Sequence, residues 1–235
     1  MRTQAQATRV RLGAARRTAR HHRDELKFRR RYGFAPPPPW ADLTGYDPML
    51  DTLRERGLLT VPGDVLEIGV LLGGGTYKLS QLLVREAPMK RVIAVDVFDP
   101  DFDQTECLQG VSMADFYRSY FDEVGADRDQ RSVYDEVTAG CSNIVTLAED
   151  SATVALPTEA LCFAFVDGNH SAEYVRGDFE KVWGLLSPGG IVAIHDYGHD
   201  IPQVTHTITA VLGERPTEVA RTWVDKITLF VQRER

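Results

Sequence analysis

The sequence has few cysteines and no long apolar run. Its three cysteines (Cys107, Cys141 and Cys162) are odd in number and widely spaced, which excludes a disulfide framework and a CxxC metal site. The longest uninterrupted apolar run, Leu161 to Val166, is too short to span a bilayer. No apolar signal segment follows the basic start. We therefore expect a cytoplasmic protein with no membrane partner.

The charge is distributed unevenly along the 235 residues, whose net charge is −7. Residues 1–31 carry eleven Lys or Arg and two acids, whereas the remainder carries 16 basic and 32 acidic residues. A cationic arm can bind nucleic acid, but this one has no aromatic residue among its charges before Phe28 and Tyr32. We expect the arm to pack on the acidic body of its own or a partner subunit. We therefore predict a second copy of the chain as partner, in a homo-oligomer, and favour this packing over binding of nucleic acid by the arm.

The composition predicts two regions. Residues 8–31 are rich in helix formers and are followed by four prolines, Pro36 to Pro39, which favour an extended linker. We assign residues 1–40 to a basic helical arm with its polyproline linker and residues 41–235 to one folded domain.

Short apolar runs alternate with helical patterns through that domain, which is typical of a parallel sheet covered on both faces by helices. The last two runs are close together and predict an antiparallel hairpin around Val224-Asp225. The predicted strands are 65–68, 91–97, 144–147, 161–166, 191–194, 218–223 and 226–231; the predicted helices are 46–56, 76–85, 172–186 and 201–212; a turn is predicted at Ser187–Gly190.

Residues 98–140 form an insertion that is longer than an ordinary connection between strands. It contains several aromatic residues, among them Tyr117 and Tyr120. These indicate either an extra packed helix or a lid over a substrate, and the two interpretations are compatible.

A glycine-rich turn follows the first predicted strand. Val65 to Thr76 reads VLEIGVLLGGGT, in which Gly69 and Gly73 allow close approach of a ligand to the backbone and Thr76 begins the helix. The spacing is neither GxGxxG nor a phosphate-binding P-loop. Glu67 would repel a pyrophosphate, so the turn favours a nucleoside without phosphates over a nicotinamide dinucleotide.

Acidic residues also follow the second and third predicted strands. Asp96 is placed to accept hydrogen bonds from ribose hydroxyls, and Asp150 with Ser151 is placed beside an adenine ring.

Together these motifs resemble the class I S-adenosylmethionine-dependent methyltransferases. The EIGVLLGGG run and the later DGNHS, LLSPGG and HDY runs are similar to the macrocin-type O-methyltransferases and cephalosporin-hydroxylase-like proteins, over about residues 60–232. The resemblance implies a Rossmann-like α/β fold with seven strands, mostly parallel, and a terminal antiparallel hairpin. It implies S-adenosylmethionine as cofactor, with Glu67 at its methionine amino end, Asp96 at its ribose and Asp167 among the other binding residues.

The fourth and fifth predicted strands end in a third group of polar residues. The resemblance implies that Asp167, His195 and Asp196 are ligands of a divalent metal, Mg or Mn; a histidine in this set favours manganese, iron or zinc, or no metal at all. The candidate catalytic residues are Asp167, His170 and His199, since histidine can act as general base near neutral pH. The candidate substrate-contacting residues are Tyr117, Tyr120 and Tyr197.

The sequence therefore predicts an O-methyltransferase acting on a hydroxyl of a small molecule, such as a sugar or a polyketide-like natural product. Three alternatives remain open: a methyltransferase-fold protein that binds the nucleoside without methylating, a nicotinamide-dependent oxidoreductase, and a nucleic-acid methyltransferase suggested only by the basic arm.

Overall fold

A computed structural model describes residues 22–124 and 129–235. The chain divides into two compact units, the first ending at Pro37 and the second beginning at Pro38. Among the described residues, no helix is long and apolar enough to cross a bilayer.

The described part of the first unit is a helix over residues 22–32, which we call α1, and the segment after it. The Phe28 ring packs against Tyr32 and Phe34, with ring centroids 4.6 and 5.3 Å away. The amino-terminal part of the predicted helix 8–31 lies outside the described residues.

The second unit is built on one seven-stranded sheet with the order β3-β2-β1-β4-β5-β7-β6. Strands β1 to β5 are parallel to one another, whereas β7 is antiparallel to both β5 and β6. This arrangement confirms the predicted fold class. The strands are β1 (Asp64–Ile68), β2 (Val92–Val95), β3 (Ile144–Leu147), β4 (Leu161–Val166), β5 (Leu186–Ile194), β6 (Val219–Asp225) and β7 (Thr228–Arg233).

Helices lie on both sides of this sheet. Strands β1 and β4 are buried along their whole length, as continuous apolar runs in a doubly covered parallel sheet require. The helices are α2 (Asp47–Glu55), α3 (Gly74–Glu86), α4 (Met113–Glu123), α5 (Gln130–Thr138), α6 (Ala172–Leu185) and α7 (Pro202–Gly213).

The predicted insertion contains α4 and α5. Ser112 and Asp129 begin these helices, each accepting a hydrogen bond from the backbone N–H three residues later, which satisfies a donor that the helix itself leaves free.

Two local predictions are wrong. Ser187–Gly190 is not a turn between two elements, because strand β5 runs through it. The pairing of β5 with β4 shifts from Leu186 to Ile191 across this irregular segment. The hairpin turn lies at Lys226-Ile227 rather than Val224-Asp225, because Asp225 pairs with Thr228.

Candidate active site

One cavity of about 620 Å³ lies at the carboxyl ends of the parallel strands, where ligands bind in open α/β sheets. Its volume is within the ordinary range for small-molecule sites. The wall includes the turn after β1 and the residues that follow β2, β3, β4 and β5. It also includes parts of the insertion, the β6–β7 turn, and residues before and within α2.

The glycine turn needs glycine because neighbouring groups pack directly against it. Gly69 has φ +81°, and a Cβ there would lie 2.0 Å from the carbonyl oxygen of Asp167. Gly69 lines the cavity. Gly73 also has a positive φ, but it begins α3 and packs against Tyr134, away from the cavity wall.

Glu67 is completely buried at the end of β1 and does not line the cavity. Its Oε2 accepts a hydrogen bond of 2.5 Å from the Thr76 hydroxyl, which is buried as well. Its Oε1 is buried without a hydrogen-bond partner among the described residues. Burial raises the pKa of Glu67 to about 8.

Asp96 lines the cavity at the end of β2. Its Oδ2 accepts from the Val70 backbone N–H at 2.8 Å, and its Oδ1 accepts from the Phe98 N–H at 2.7 Å. Burial raises the pKa of Asp96 despite these bonds. The two bonds fix the carboxylate at the position where a ribose was predicted.

The two predicted residues after β3, Asp150 and Ser151, have different positions. Ser151 lines the cavity, but Asp150 does not. Asp150 accepts hydrogen bonds from the Ala152 N–H at 2.8 Å and from the Tyr174 hydroxyl at 2.9 Å. Asp150 therefore shapes the loop that presents Ser151.

The ends of β4 and β5 bring three predicted residues together on the cavity wall. His195 Nδ1 is 3.2 Å from both Asp167 Oδ1 and Asp196 Oδ2. Burial favours the neutral imidazole, but the two carboxylates outweigh it and raise the pKa of His195 to about 10. Asp196 adopts φ +54°, a strained backbone conformation that is common at functional sites.

His170 supports this cluster from behind, since it is buried and does not line the cavity. Its Nδ1 is 2.5 Å from Asp103 Oδ2, and its Nε2 is 3.0 Å from Asp196 Oδ2 and 3.8 Å from Asp167 Oδ1. Although burial opposes it, these carboxylates raise the pKa of His170 well above its usual range. Sequence reasoning did not find Asp103, although it lies in an Asp-rich stretch of the insertion.

The cluster has the donors of a metal site. One ligand atom each from Asp167, His170 and Asp196 lie within 4.8 Å of one another. His170 completes this group, and His195, the ligand that the sequence predicts, lies beside the same two carboxylates. The Nδ1 of His195 is buried with no hydrogen bond among the described residues, although it faces both carboxylates.

The remaining predicted residues differ in placement. Tyr117 and His199 line the cavity, and His199 is half exposed at its rim. Tyr120 does not line it and donates its hydroxyl hydrogen to the Trp40 carbonyl. Tyr197 lies off the wall too, with its hydroxyl 3.3 Å from Thr209 Oγ1.

A part of the wall that the sequence did not predict is the segment 42–47, which we call the strap. Within it, Thr44 Oγ1 donates to Asp167 Oδ2 at 3.3 Å, and the Tyr46 ring covers Gly75 at the start of α3. No motif marks these residues, and the order of the chain places them far from the strand ends they contact.

Structural comparison finds the same fold in several methyltransferases. The O-methyltransferase NovP has a TM-score of 0.58 and 17% identity, with 80% of each chain covered. The calicheamicin methyltransferase CalS11 has a TM-score of 0.56 and 18% identity, over 78% of this chain and 77% of that one. MycE is a methyltransferase from the mycinamycin pathway, described with Mg and S-adenosylhomocysteine. It has a TM-score of 0.53 and 17% identity, with 89% of this chain and 54% of its own chain covered.

Comparison with curated protein sequences gives no match. The family model for a methyltransferase domain matches residues 66–197, which is more than half of the chain. This stretch includes the glycine turn, Asp96 and the Asp167–Asp196 cluster, and the sheet around it has the class I strand order. The chain belongs to the methyltransferase domain family and has the fold of the class I S-adenosylmethionine-dependent enzymes.

Proposed function

We propose that this protein transfers the methyl group of S-adenosylmethionine to a hydroxyl of a small molecule, with the assistance of a divalent metal. The observation that carries the proposal is the single cavity, which joins the nucleoside-type wall at Gly69 and Asp96 to the cluster of Asp167, His195 and Asp196. Cofactor and acceptor would thus meet within one cavity, as methyl transfer requires.

The cofactor's adenosine is assigned to the side of the cavity formed by β2 and β3. Asp96 offers carboxylate oxygens to the two ribose hydroxyls, and Ser151 borders the adenine. Glu67 and Thr76 act indirectly in this proposal, because they support the glycine turn from behind the wall.

The acceptor is assigned to the side formed by β4, β5 and the insertion. A metal held by Asp167, His170 and Asp196 would lower the pKa of a bound hydroxyl and fix its position. The donor set fits such an ion, because Asp103 holds Nδ1 of His170 and so turns Nε2 toward both carboxylates, an arrangement typical of metal-binding histidines.

The chain's own residues orient the acceptor and receive its proton. Asp167 and Asp196 present their carboxylates to the cavity, and Asp103 holds His170 beside them. We assign the hydroxyl proton to His199, and its position supports this role: it lines the cavity, is half exposed, and has Nδ1 3.9 Å from Asp196 Oδ1. Tyr117 covers the acceptor from the insertion.

The acceptor class follows from the wall of the insertion and from the structural neighbours. Val111, Met113, Phe116 and Phe121 give the acceptor side an apolar surface above a polar reaction centre. CalS11 is described as a TDP-rhamnose 3′-O-methyltransferase of calicheamicin biosynthesis, and MycE as an enzyme of mycinamycin biosynthesis. We propose a hydroxylated natural product as acceptor and retain the cytoplasmic location, the homo-oligomer and the boundary between arm and domain at residue 40 as predictions.

The proposal is tested by transfer of labelled methyl groups from S-adenosylmethionine to a panel of sugars, glycosides and phenols, with Mg²⁺, with Mn²⁺ and with EDTA. We expect transfer to at least one acceptor class and loss of transfer in Asp196→Asn. Glu159→Gln is the control, since Glu159 is exposed just before β4, at the opposite edge of the sheet. Full turnover by Asp196→Asn would contradict the assigned reaction centre.

A further inference from the structure

We propose that the strap, residues 42–47, holds the methionine end of the cofactor, with Thr44 and Tyr46 as its positioning residues. The proposal rests on the proposed function, since it presupposes S-adenosylmethionine in the cavity.

The strap lines a part of the cavity that is assigned to neither the adenosine nor the acceptor. Asp96 and Ser151 mark the adenosine side, and the cluster at the end of β5 marks the acceptor side. Between them lie the ends of β1 and β4, the two central strands of the sheet. The methyl group must point toward the cluster, so the amino-acid end of the sulfonium remains for this central position, where the strap forms the roof.

The contacts of the strap bring polar groups to that position. Tyr46 packs across Gly75, where a Cβ would lie 2.1 Å from its ring, and its ring centroid is 4.8 Å from that of Phe165 in β4. Thr44 reaches Asp167 from the other side. Both strap residues line the cavity, and the Tyr46 hydroxyl lies beside the buried Glu67 carboxyl behind its wall.

A buried carboxyl behind the wall links the strap to the end of β1. Glu67 Oε1 is completely buried and has no hydrogen-bond partner among the described residues, and the Glu67 carboxyl is a close neighbour of the Tyr46 hydroxyl. Native proteins rarely leave such an acceptor unpaired. An ammonium group beneath the strap would supply donors to Asp167 and to the Thr44 and Tyr46 hydroxyl oxygens, and Tyr46 would relay a hydrogen bond to Glu67.

The strap is fastened at both ends, which gives it the rigidity that a positioning element needs. The Lys78 ammonium, buried in α3, pairs with Asp42 at 2.5 Å and with Asp47 at 2.7 Å. These two acids lie on either side of Thr44 and Tyr46 in the chain. The Tyr46 backbone N–H also donates to Asp42 Oδ1 at 3.3 Å.

The test compares two ligands that differ only at the proposed contact. S-adenosylhomocysteine carries the amino-acid end, whereas 5′-methylthioadenosine keeps the adenosine and the thioether but lacks it. Their dissociation constants would be measured by calorimetry on the full chain for the wild type, Thr44→Val and Tyr46→Phe. Thr222→Val, at an exposed position of the edge strand β6, is the matched control.

We expect Thr44→Val and Tyr46→Phe to weaken S-adenosylhomocysteine about tenfold or more, the size of a lost hydrogen bond to a charged group. We expect less than about a twofold change for 5′-methylthioadenosine, and Thr222→Val should alter neither. Melting temperatures of the ligand-free variants show whether each has folded, and the two variants are judged separately.

Three results would overturn the proposal in distinguishable ways. Unchanged affinity for S-adenosylhomocysteine in both folded variants would show that the strap does not touch the methionine end. Equal weakening of both ligands would mean that the strap only supports the cavity. If the wild type bound 5′-methylthioadenosine but not S-adenosylhomocysteine, the amino-acid end would have no site; binding of neither ligand would refute the proposed function itself.

Discussion

Replacing Glu67 with glutamine should stabilise the ligand-free protein, by an amount that grows with pH. Burial raises the pKa of Glu67 to about 8 in the folded protein, against 4.5 for an ordinary glutamate. Between these two pKa values the folded protein retains a proton that the unfolded chain has released. The folded state therefore becomes less stable as the pH rises. Glutamine is neutral throughout and escapes this loss, while its carbonyl oxygen can still accept the hydrogen bond from Thr76.

The size of the gain follows from the interval between the two pKa values. Each pH unit within it costs the wild type about 1.4 kcal/mol. The glutamine variant should therefore gain less than about 1 kcal/mol at pH 5 and about 3 kcal/mol at pH 7, and the gain should level off above pH 8 at roughly 5 kcal/mol. These are upper figures, because rearrangement around Oε1 in the wild type would reduce them.

Urea unfolding of both proteins at pH 5, 6, 7 and 8, followed by tryptophan fluorescence, measures the gain directly. Other groups titrate in this range, but they are common to both proteins and cancel in the difference. A gain that is equal at all four pH values, or a loss at pH 7, would refute the argument, because it would mean that Glu67 is ionised in the folded protein.

Three further predictions concern other parts of the domain. Asp178→Asn in α6 should also stabilise the protein, since burial raises the pKa of Asp178 to about 6; its gain in urea unfolding should level off above that pH at about 3 kcal/mol, unlike the gain for Glu67. Gly75→Ala should lower the free energy of unfolding by about 1–3 kcal/mol or more, because the new Cβ meets the Tyr46 ring. Gly177→Ala in α6, where a Cβ meets open space, should raise it by about 0.5–1 kcal/mol. Equal effects of the two substitutions in thermal melts would contradict the contact between Gly75 and Tyr46. Asp103→Asn should reduce kcat about 10- to 100-fold with unchanged affinity for S-adenosylhomocysteine, because Asp103 orients His170; an unchanged kcat would remove that role.

Most of the sheet could be predicted because its strands are short apolar runs between polar residues. The bounds of β3 and β4 agree with the prediction, and the antiparallel hairpin was placed within a few residues. The start of β5 was missed because Ser187–Gly190 has the composition of a turn. The chain there leaves the regular register with β4 and then rejoins it without reversing direction. This irregular pairing depends on the neighbouring strand, so the local sequence does not indicate it.

The parts of the site that follow strands were predictable for a similar reason. The turn after β1, Asp96 and the Asp167–Asp196 pair follow apolar runs, and parallel strands bring their carboxyl ends to one edge. The strap and Asp103 were not predictable. Thr44 contacts Asp167 across 123 residues, and Asp103 contacts His170 across 67. Such contacts depend on how loops fold over the sheet, which neither hydrophobic periodicity nor a short motif reports.

The central claim is that the cavity binds S-adenosylmethionine, and calorimetric titration of the full chain with S-adenosylhomocysteine tests it most directly. NAD under the same conditions is the control, and a parallel titration with EDTA separates cofactor binding from metal binding. We predict saturable one-to-one binding of S-adenosylhomocysteine with or without EDTA, and no binding of NAD. Binding of NAD alone, or of neither ligand, would contradict the account.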